Sequence, residues 1–549
     1  MKMQILMKLI KIKEWRGNSM YGFEQMISDI KMFTMLGGSG LVAGEIVAQY
    51  IKYRKNQVEK LAKSKLGTIK SIDSKMGDDG LIINNQVQLK ENYDFEGSII
   101  LGPTGAGKST NLFFTNLLQN NIRGSIVVFD VKGELYEKTS YYQQKVCGRK
   151  VIRFAPLDPV NSERFNLLEN CKTAQEVVEL ASCLLMNGSL YFRIQTGGKA
   201  DDANWLNMAK PLLAAAMFFA KEQDAPYNTI EYAVELLLNC EFKVLENLFN
   251  SDKYINNRNL HRQWSIFKMV RKAEQTEASI KITLAANMQI FMDSNINIVD
   301  QKSTFSFDDF RNEETIIYIT YPSHKAAYLS PYMASIASKM FEAFLESSYD
   351  MPIHIFADEM ANLGLIPNIS NLVSTIRSAK ISFTAGLQSM TQLNQIYGTE
   401  NTSAILNNLK TKIILPGLSD IPTLEYISKL CGSKEITVKN MSQNANNQTS
   451  TSISKTKISL FDDCDLRCLK DDEMLLLTSN KYPLLLQQSP YYKYQKYNMN
   501  VHEPLKNTNY SRKLGDLQSS IEKIKKDYTP KKKKRIIKTA SSELDDFLN

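Results

Sequence analysis

Short apolar runs alternate with stretches of helical spacing along much of the chain. The apolar runs are Ser98–Leu101, Ser125–Phe129, Lys150–Phe154, Thr315–Thr320, Ile353–Ala357, Ile381–Ala385 and Lys412–Leu415. Strands that are apolar throughout and separated by helices are typical of a parallel sheet with helices on both faces. We therefore predict an α/β fold on such a sheet, preceded by a hairpin strand at LIINNQVQL.

In the middle of the chain, between the third and fourth apolar runs, the apolar residues recur only with the spacing of a helix. Residues 173–300 are rich in Ala, Leu, Met, Glu and Lys, as in AQEVVELASCLLM and WLNMAKPLLAAAMFFAKE. This pattern predicts an all-α domain that interrupts the α/β domain. The α/β domain then consists of two parts, residues 76–172 and residues 301–497.

Three segments fall outside this alternation. Residues 1–75 are apolar and basic, and we interpret them as a membrane-proximal region with a candidate anchor at Met32–Ile51. The uncharged part of that anchor stops at Glu45, short of the roughly 20 residues that a spanning helix needs. Residues 439–457 are polar and low in complexity, which predicts a loop. Residues 498–549 form a charged tail that we predict to be disordered.

Length and net charge place only loose limits on these predictions. A chain of 549 residues exceeds one ordinary core and predicts two to four domains at roughly 150 residues each. The formal charge of +9 is modest for this length and does not establish nucleic-acid binding. Much of the excess lies in the tail around Lys531–Lys538, where a basic run can contact DNA or anionic lipid or simply stay solvated.

A complete GxxxxGK[ST] loop joins the first apolar run to the helical pattern after it. The loop and the residue after it are Gly102, Pro103, Thr104, Gly105, Ala106, Gly107, Lys108, Ser109 and Thr110. Backbone N–H groups beside the glycines can close around phosphate oxygens, and a helix N-terminus adds partial positive charge. We expect Lys108 to reach the β- and γ-phosphates and the Ser109 hydroxyl to ligate Mg²⁺. ATP and Mg²⁺ are therefore the predicted cofactors.

Two adjacent carboxylates, Asp358 and Glu359, follow the apolar run Ile353–Ala357. Strand ends of such a sheet open onto the crevice where ligands bind. We expect Asp358 to hold Mg²⁺ through its water shell and Glu359 to polarise the attacking water. Asp130 ends another run and is an alternative metal-binding carboxylate. We prefer Asp358 because its neighbour supplies the base that Asp130 lacks.

Two further residues flank the run Ile381–Ala385. Gln388 follows it, and its amide is a candidate sensor of the γ-phosphate. Arg377 precedes it and is a candidate arginine finger that would act on a neighbouring subunit if the protein forms a ring. On composition alone, Arg377 is better interpreted as an ordinary surface arginine.

Four longer segments together resemble the TraG-type coupling ATPases of conjugation and type IV secretion, relatives of the FtsK and HerA DNA motors. They read GPTGAGKST, VVFDVKGELYEKTS, RFAPLD…RFNLL and IFADEMANLGLIPNISNLVSTIRSAKISFTAGLQSMTQLNQIYG. The likeness extends from about residue 80 to residue 497. It implies a RecA-like nucleotide-binding domain interrupted by an all-α domain. It also implies a hexameric ring with ATP sites between subunits, which fits a finger role for Arg377.

The resemblance implies an ATP-driven DNA translocase at the cytoplasmic face of the bacterial cell membrane. Its expected partners are a relaxase with its linked single-stranded DNA and the membrane components of the secretion channel. An alternative is a recruitment platform for DNA or protein substrates, in which nucleotide serves ring assembly alone. A chromosome-segregation motor is less favoured, because no long linker or DNA-reading tail domain is evident. Family members usually carry two N-terminal membrane helices, whereas residues 1–75 are only weakly hydrophobic, so docking through a separate membrane partner is a second hypothesis.

Overall fold

The computed structural model describes residues 64–120, 122–197, 203–270, 274–347, 351–443, 449–505 and 516–530. The candidate anchor Met32–Ile51 and the basic run Lys531–Lys538 lie outside the described residues. The chain divides into two units. One comprises residues 1–65 and 432–460, and the other comprises residues 66–431 and 461–549.

The described residues contain a strand at each of the seven predicted apolar runs, with the seventh strand displaced by one residue from the predicted run Lys412–Leu415. In chain order the strands are β1 Ser98–Leu101, β2 Ser125–Asp130, β3 Lys150–Phe154, β4 Thr315–Thr320, β5 Ile353–Ala357, β6 Ile381–Leu387, β7 Thr411–Ile414, β8 Ser433–Gln443, β9 Thr449–Ser459, β10 Glu473–Leu477 and β11 Leu484–Gln487.

A nine-stranded sheet forms the centre of the larger unit, in the order β11-β10-β7-β1-β6-β5-β2-β4-β3. The seven strands from β7 to β3 in this order run parallel, and every residue of β1, β2, β4, β5, β6 and β7 is buried. Burial on both faces explains why these runs are apolar throughout rather than alternating. β10 and β11, which the sequence analysis did not identify as strands, extend one edge by antiparallel pairing.

The α-helices of the described residues follow the strands in alternation outside the central helical segment. They are α1 Glu91–Asp94, α2 Phe114–Leu117, α3 Glu134–Lys145, α4 Ala174–Thr196, α5 Ala203–Lys221, α6 Ile230–Asn239, α7 Phe242–Phe249, α8 Arg258–Val270, α9 Glu274–Asn287, α10 Ser294–Val299, α11 Ala326–Glu346, α12 Ile369–Thr375, α13 Met390–Asn408, α14 Ile421–Cys431, α15 Asp463–Arg467, α16 Gln495–Asn498 and α17 Leu517–Tyr528.

Helices pack on both faces of the sheet. Phe113, at the start of the helix that follows β1, contacts Phe356 of β5 with ring centroids 5.9 Å apart. Phe341 of α11 contacts Phe383 of β6 at 6.1 Å. In the register of β5 with β6, Phe356 lies opposite Thr384, so Phe356 and Phe383 point to opposite faces. The predicted α/β fold with helices on both sides of a parallel sheet is therefore confirmed.

The segment between β3 and β4 contains helices and no strand among its described residues. Its first long helix, α4, begins with a capping box in which Thr173 and Glu176 satisfy each other's backbone N–H groups. α4 packs against α5 and α11. Within the described part of the chain, α4 is the one helix that by length and composition alone could cross a membrane, and more than half of it is buried inside the protein.

The described parts of the polar segment 439–457, which we predicted to be a loop, belong to a pair of strands in the smaller unit. β8 and β9 pair antiparallel over eleven residues each, with Lys434 opposite Ile458. The prediction was wrong because Ser and Asn dominate the composition, while the interspersed Thr and Ile favour extended backbone. The strand pair joins the amino-terminal side of this unit through a bond from Ser64 N to Ser433 O at 3.1 Å.

The charged tail 498–549, which we predicted to be disordered, is ordered in its described parts. Asn500 Nδ2 donates to Leu118 O at 2.9 Å, which holds the start of the tail on the larger unit. α17 then docks on α6 and α7, and the Tyr232 and Ser520 hydroxyls are bonded at 2.9 Å. The side chains that α17 buries are Leu517, Ile521 and Ile524. Their 4,3 spacing is that of one apolar helix face, which the many lysines nearby obscure.

We expect Ile521→Lys to release α17 from α6 and α7. The change removes roughly 1.5–3 kcal/mol of apolar burial and places a charge in the contact. Hydrogen–deuterium exchange should then show lost protection across 517–528. Lys523→Ala, on the exposed face of the same helix, is the matched control and should leave protection unchanged. Equal protection in both variants would show that the apolar contact does not hold the helix.

Candidate active site

The glycine-rich loop leaves the carboxyl end of β1, as the sequence analysis predicted. Gly105 and Gly107 have φ angles of +86° and +93°, the left-handed region that glycine adopts without penalty. A Cβ on Gly107 would also lie 2.5 Å from Nδ2 of Asn111. The chain then enters a helical segment, with π-helical turns at Ser109–Phe113 followed by α2. The loop therefore presents a helix N-terminus, with its partial positive charge, at the crevice edge of the sheet.

Lys108 lies across the mouth of this loop. Its Nζ donates to the carbonyl oxygen of Gly102 at 2.7 Å and lies 3.6 Å from Oε2 of Glu359. The side chain is 9% exposed, so its charge is largely shielded from solvent. One ammonium group thus faces both the loop, where phosphates are expected, and the predicted catalytic base.

Asp358 immediately follows β5 and meets the loop from the other side. Its Oδ1 accepts a hydrogen bond from the Ser109 hydroxyl at 2.8 Å. Burial raises the pKa of the Asp358 carboxyl, and the Ser109 hydrogen bond and the Lys108 charge oppose that rise. A hydroxyl and a carboxylate are hard oxygen donors of the kind that Mg²⁺ prefers. The two predicted metal-site residues are therefore side by side and fit that ion.

Glu359 is buried at the centre of the site. Its Oε2 accepts from Nε2 of Gln388 at 3.0 Å, and its Oε1 has no hydrogen-bond partner among the described residues. Burial raises the pKa of Glu359, while Lys108 and Gln388 oppose that rise. A raised pKa makes a carboxylate a better proton acceptor near neutral pH. The unpartnered Oε1 is the atom on which an attacking water could be oriented.

Gln388 takes its position from the strand order. β6 lies between β1 and β5, so the residue that follows β6 lies between the loop and the two carboxylates. Its amide bonds Glu359 directly, and the structure thus brings this predicted residue into the site.

Asp130, the alternative metal-binding carboxylate, accepts hydrogen bonds from backbone N–H groups. Its oxygens accept from the N–H groups of Gly133 at 2.9 Å and Tyr136 at 2.8 Å, so it ties the start of α3 to the end of β2. Burial raises its pKa to about 7, and the charge of Asp358 adds to that rise. Since Asp358, unlike Asp130, contacts the loop serine, the geometry favours Asp358 as the metal-site carboxylate.

Arg377 lies outside this group of residues. It follows α12 and precedes β6, at the amino ends of the parallel strands, whereas the loop leaves the carboxyl end of β1. Its Nη1 lies 3.3 Å from Oε1 of Glu96, and 62% of its side chain is exposed. Within one chain Arg377 therefore does not join the loop, and its finger role on a neighbouring subunit stays a prediction.

The sequence analysis missed a glycine that shapes the site. Gly386 lies in β6 next to the end of β5, and a Cβ there would lie 2.1 Å from the carbonyl oxygen of Asp358. Any side chain at this position would push the Asp358 backbone away from the loop. The signal was available, because an isolated glycine inside an apolar strand pattern indicates close backbone approach.

A second missed contact joins the loop to the far end of the chain. Asn111 Nδ2 donates to Gly107 O at 2.9 Å and to Oε1 of Gln488 at 2.7 Å. Gln488 directly follows β11, and its own N–H donates to Asp472 O at 2.7 Å. The contact was missed because β11 was not identified as a strand. The only signal was the pair of glutamines that follows the short apolar run Leu484–Leu486.

Comparison with known proteins gives the family to which this chain belongs. The family described as Type IV secretory system Conjugative DNA transfer matches residues 46–514. Protein VirD4 of Rhizobium radiobacter is 24% identical over 406 residues, covering 72% of this chain and 57% of the relative. Conjugal transfer protein TraG of Escherichia coli is 22% identical over 415 residues, covering 70% of this chain and 62% of TraG. The chain thus spans about 57% to 62% of the length of these relatives.

Solved structures share the fold. The unbound bacterial conjugative coupling protein TrwBdeltaN70 superposes with a TM-score of 0.60 at 15% identity, covering 82% of this chain and 94% of that one. TrwB in complex with ADP and Mg²⁺ gives a TM-score of 0.58 at 14% identity, over 82% and 95% of the two chains. The likeness confirms the predicted RecA-like α/β fold.

We expect Gly386→Ala to abolish Mg²⁺-dependent nucleotide binding and to lower stability by about 1–3 kcal/mol, because the added methyl group displaces the Asp358 backbone. Fluorescent-nucleotide titration and thermal melting measure the two effects. Gly148→Ala is the matched control. Its φ is positive, at +76°, whereas that of Gly386 is not, and its Cβ would meet nothing within 4 Å. The change should therefore lower stability through about 1–2 kcal/mol of backbone strain and leave binding intact. Normal binding by Gly386→Ala would contradict the close approach.

Proposed function

We propose that this chain, which belongs to the Type IV secretory system Conjugative DNA transfer family, is an ATP-hydrolysing coupling protein of a conjugative secretion system. In this role it recruits relaxase-bound, single-stranded DNA and drives or licenses its passage into the transport channel. The observation that carries the proposal is the meeting of Lys108 and Ser109 with Asp358 and Glu359 at one edge of the sheet.

Each of these residues has a separate role in ATP hydrolysis. The loop amides cradle the phosphates, and Lys108 turns from the Gly102 carbonyl towards the β- and γ-phosphate oxygens. Ser109 and Asp358 would hold Mg²⁺, which neutralises charge that develops on the phosphates. Glu359 accepts the proton of the attacking water through its free oxygen, and Gln388 holds the other oxygen in place.

The cellular setting of the proposal rests on family membership. VirD4 and TraG relatives and the TrwB coupling-protein fold support a place between DNA processing and the secretion channel. The expected assembly is a homo-hexamer at the cytoplasmic face of the bacterial membrane, with ATP sites between subunits. A closed ring of this kind repeats one heterologous interface, so each site borrows residues from the next subunit.

A recruitment platform is the competing function. In that case nucleotide would serve ring assembly, and substrate capture would not depend on hydrolysis. The buried base Glu359 favours the motor, because assembly by nucleotide binding alone has no use for a proton acceptor beside the phosphates.

We expect ATP hydrolysis by the purified protein to rise when single-stranded DNA is added. Glu359→Gln should still bind ATP but hydrolyse it at least about tenfold more slowly, because it removes the proton acceptor. Lys108→Ala should lose ATP binding and conjugative DNA transfer. Turnover assays with single-stranded, double-stranded and no DNA, together with mating assays, measure these effects.

Glu425→Gln is the control for the carboxylate change, since Glu425 is exposed and pairs with Lys429 across a turn of α14. It should hydrolyse ATP at the normal rate. Nucleotide binding without turnover in the unaltered protein would support the platform and refute the motor.

We expect Arg377 to act across the subunit interface. Arg377→Ala alone should lose most ATP hydrolysis, since an arginine finger contributes about 10³–10⁵ in rate. An equal mixture of Arg377→Ala and Lys108→Ala subunits should regain up to about a quarter of the normal rate, because a quarter of the interfaces in a mixed ring are intact.

Lys410→Ala is the control, because Lys410 is also an exposed cation at the amino edge of the sheet. It should leave hydrolysis unchanged. If mixing restores nothing while each variant still assembles, Arg377 has no role in a neighbouring site.

A further inference from the structure

Glu96, the second residue after α1, is a largely buried carboxylate at the amino edge of the sheet. Its Oε1 lies 3.3 Å from Nη1 of Arg377, and the side chains of Glu96 and Arg377 are 10% and 62% exposed. An ion pair whose cation stays in solvent usually contributes little to stability. Stability alone therefore does not explain why a buried acid faces this exposed arginine.

Partners other than Arg377 fix the carboxylate of Glu96. Its Oε2 accepts from the Ser479 hydroxyl at 3.0 Å and lies 3.9 Å from Nζ of Lys75. Lys75 Nζ donates to the same Ser479 hydroxyl at 2.7 Å. Glu96 therefore faces Arg377 from a position that Lys75 and Ser479 determine.

The backbone that carries Glu96 is held on the sheet as well. Its carbonyl oxygen accepts from Lys410 N, directly before β7, at 3.1 Å. Two residues before Glu96, the carboxylate of Asp94 accepts from the Ser382 hydroxyl of β6 at 2.8 Å and lies 3.1 Å from Nδ1 of His354 in β5. These three side chains are fully buried or nearly so. Glu96 is thus attached to the rigid centre of the sheet.

Arg377, in contrast, is held at one end of its guanidinium group. Among the described residues, Glu96 is the partner of its one ion pair, which leaves Nη2 and Nε for other contacts. Arginine binds phosphate oxygens through a planar fork of N–H groups. Anchoring one nitrogen in advance lowers the conformational entropy that the side chain loses when the others bind a ligand.

We propose that Glu96 is a positioning residue that orients Arg377 towards the ATP phosphates of a neighbouring subunit. The inference rests on the proposed function, because it requires the ring and the finger role of Arg377. Glu96 and Gly97 precede β1, whereas the glycine-rich loop follows it, so Glu96 lies at the opposite edge of the sheet from its own chain's loop. Its effect on hydrolysis must therefore appear in the next subunit.

Glu96→Gln tests the proposal, because it removes the charge that holds Arg377 and keeps the size of the side chain. We expect kcat for ATP hydrolysis to fall about ten- to hundredfold, since a misplaced catalytic group costs about that much. The fall should be smaller than that of Arg377→Ala, because the guanidinium is still present. The affinity for ATP should stay unchanged, because the variant's own loop is intact.

Mixed rings show on which side of the interface Glu96 acts. An equal mixture of Glu96→Gln and Lys108→Ala subunits should regain up to about a quarter of the normal rate, because a quarter of the interfaces then combine an intact loop with an intact Arg377 and Glu96. An equal mixture of Glu96→Gln and Arg377→Ala should stay at or below the rate of Glu96→Gln alone. Regained activity in the first mixture also shows that the Glu96→Gln subunit folds and binds ATP.

Glu313→Gln is the matched control, since Glu313 also lies at the amino edge of the sheet and pairs with exposed Lys150 at 3.3 Å. It should hydrolyse ATP at the normal rate. Glu96→Asp keeps the charge beside Lys75 but draws the carboxylate back by one methylene group. It should repeat the pattern of Glu96→Gln with a smaller loss, even where Glu96→Gln folds poorly.

The outcomes separate this inference from the proposed function. Normal hydrolysis by Glu96→Gln and Glu96→Asp, together with a loss in Arg377→Ala, would overturn the role of Glu96 alone. A loss in both Glu96 variants that mixing with Lys108→Ala does not relieve would also overturn it, because the defect then lies within the variant subunit. Normal hydrolysis by Arg377→Ala refutes the finger and this inference together, and an unaltered protein that does not hydrolyse ATP refutes the motor and both.

Discussion

The contact between the glycine-rich loop and the carboxylates after β5 is the constraint on which the rest of the site depends. β6 separates β1 from β5, so the hydroxyl of Ser109 must reach across one strand to the carboxyl of Asp358. That reach is possible because Gly386 lets the Asp358 backbone approach β6 closely. The geometry of the site therefore depends on the strand order, on the absence of a side chain at Gly386 and on the hydrogen bond between Ser109 and Asp358. The close packing of the surrounding buried strands keeps these residues in position.

The buried charged groups at this contact lower the stability of the folded protein. A lysine and two carboxylates, Lys108, Asp358 and Glu359, are buried close together in space, with Lys108 Nζ 3.6 Å from Oε2 of Glu359. Desolvation is the main cause of the raised pKa of both acids. Removing charges from water costs more than their mutual attraction usually returns. Such a cluster is typical of functional sites, where perturbed proton affinities serve the chemistry. The apolar strands beneath it supply the stability that the cluster lacks.

Most of the sheet could be predicted from the sequence because its strands are buried on both faces and therefore read as continuous apolar runs. The carboxylates of the candidate site could be predicted for the same reason, because Asp358 and Glu359 come directly after such a run. β11 escaped prediction because it is an edge strand in which buried and exposed residues alternate. β10 is buried at four of its five positions, so its apolar run carried the same signal as the predicted strands. The strands β8 and β9 and the helix α17 are rich in polar residues. Their composition therefore led to the wrong predictions of a loop and a disordered tail. Gln488 could not be placed without β11.

The bond between Asn111 and Gln488 joins residues 377 positions apart, and it has a consequence for how the protein is made. The loop emerges from the ribosome early, but both sheet neighbours of β1 and the residue that braces the loop emerge much later. Contacts so distant in sequence form slowly, and domains fold as units only once their parts are present. An incomplete chain would therefore carry the whole glycine-rich motif without a finished site, so that unfinished copies would not compete for the cell's ATP.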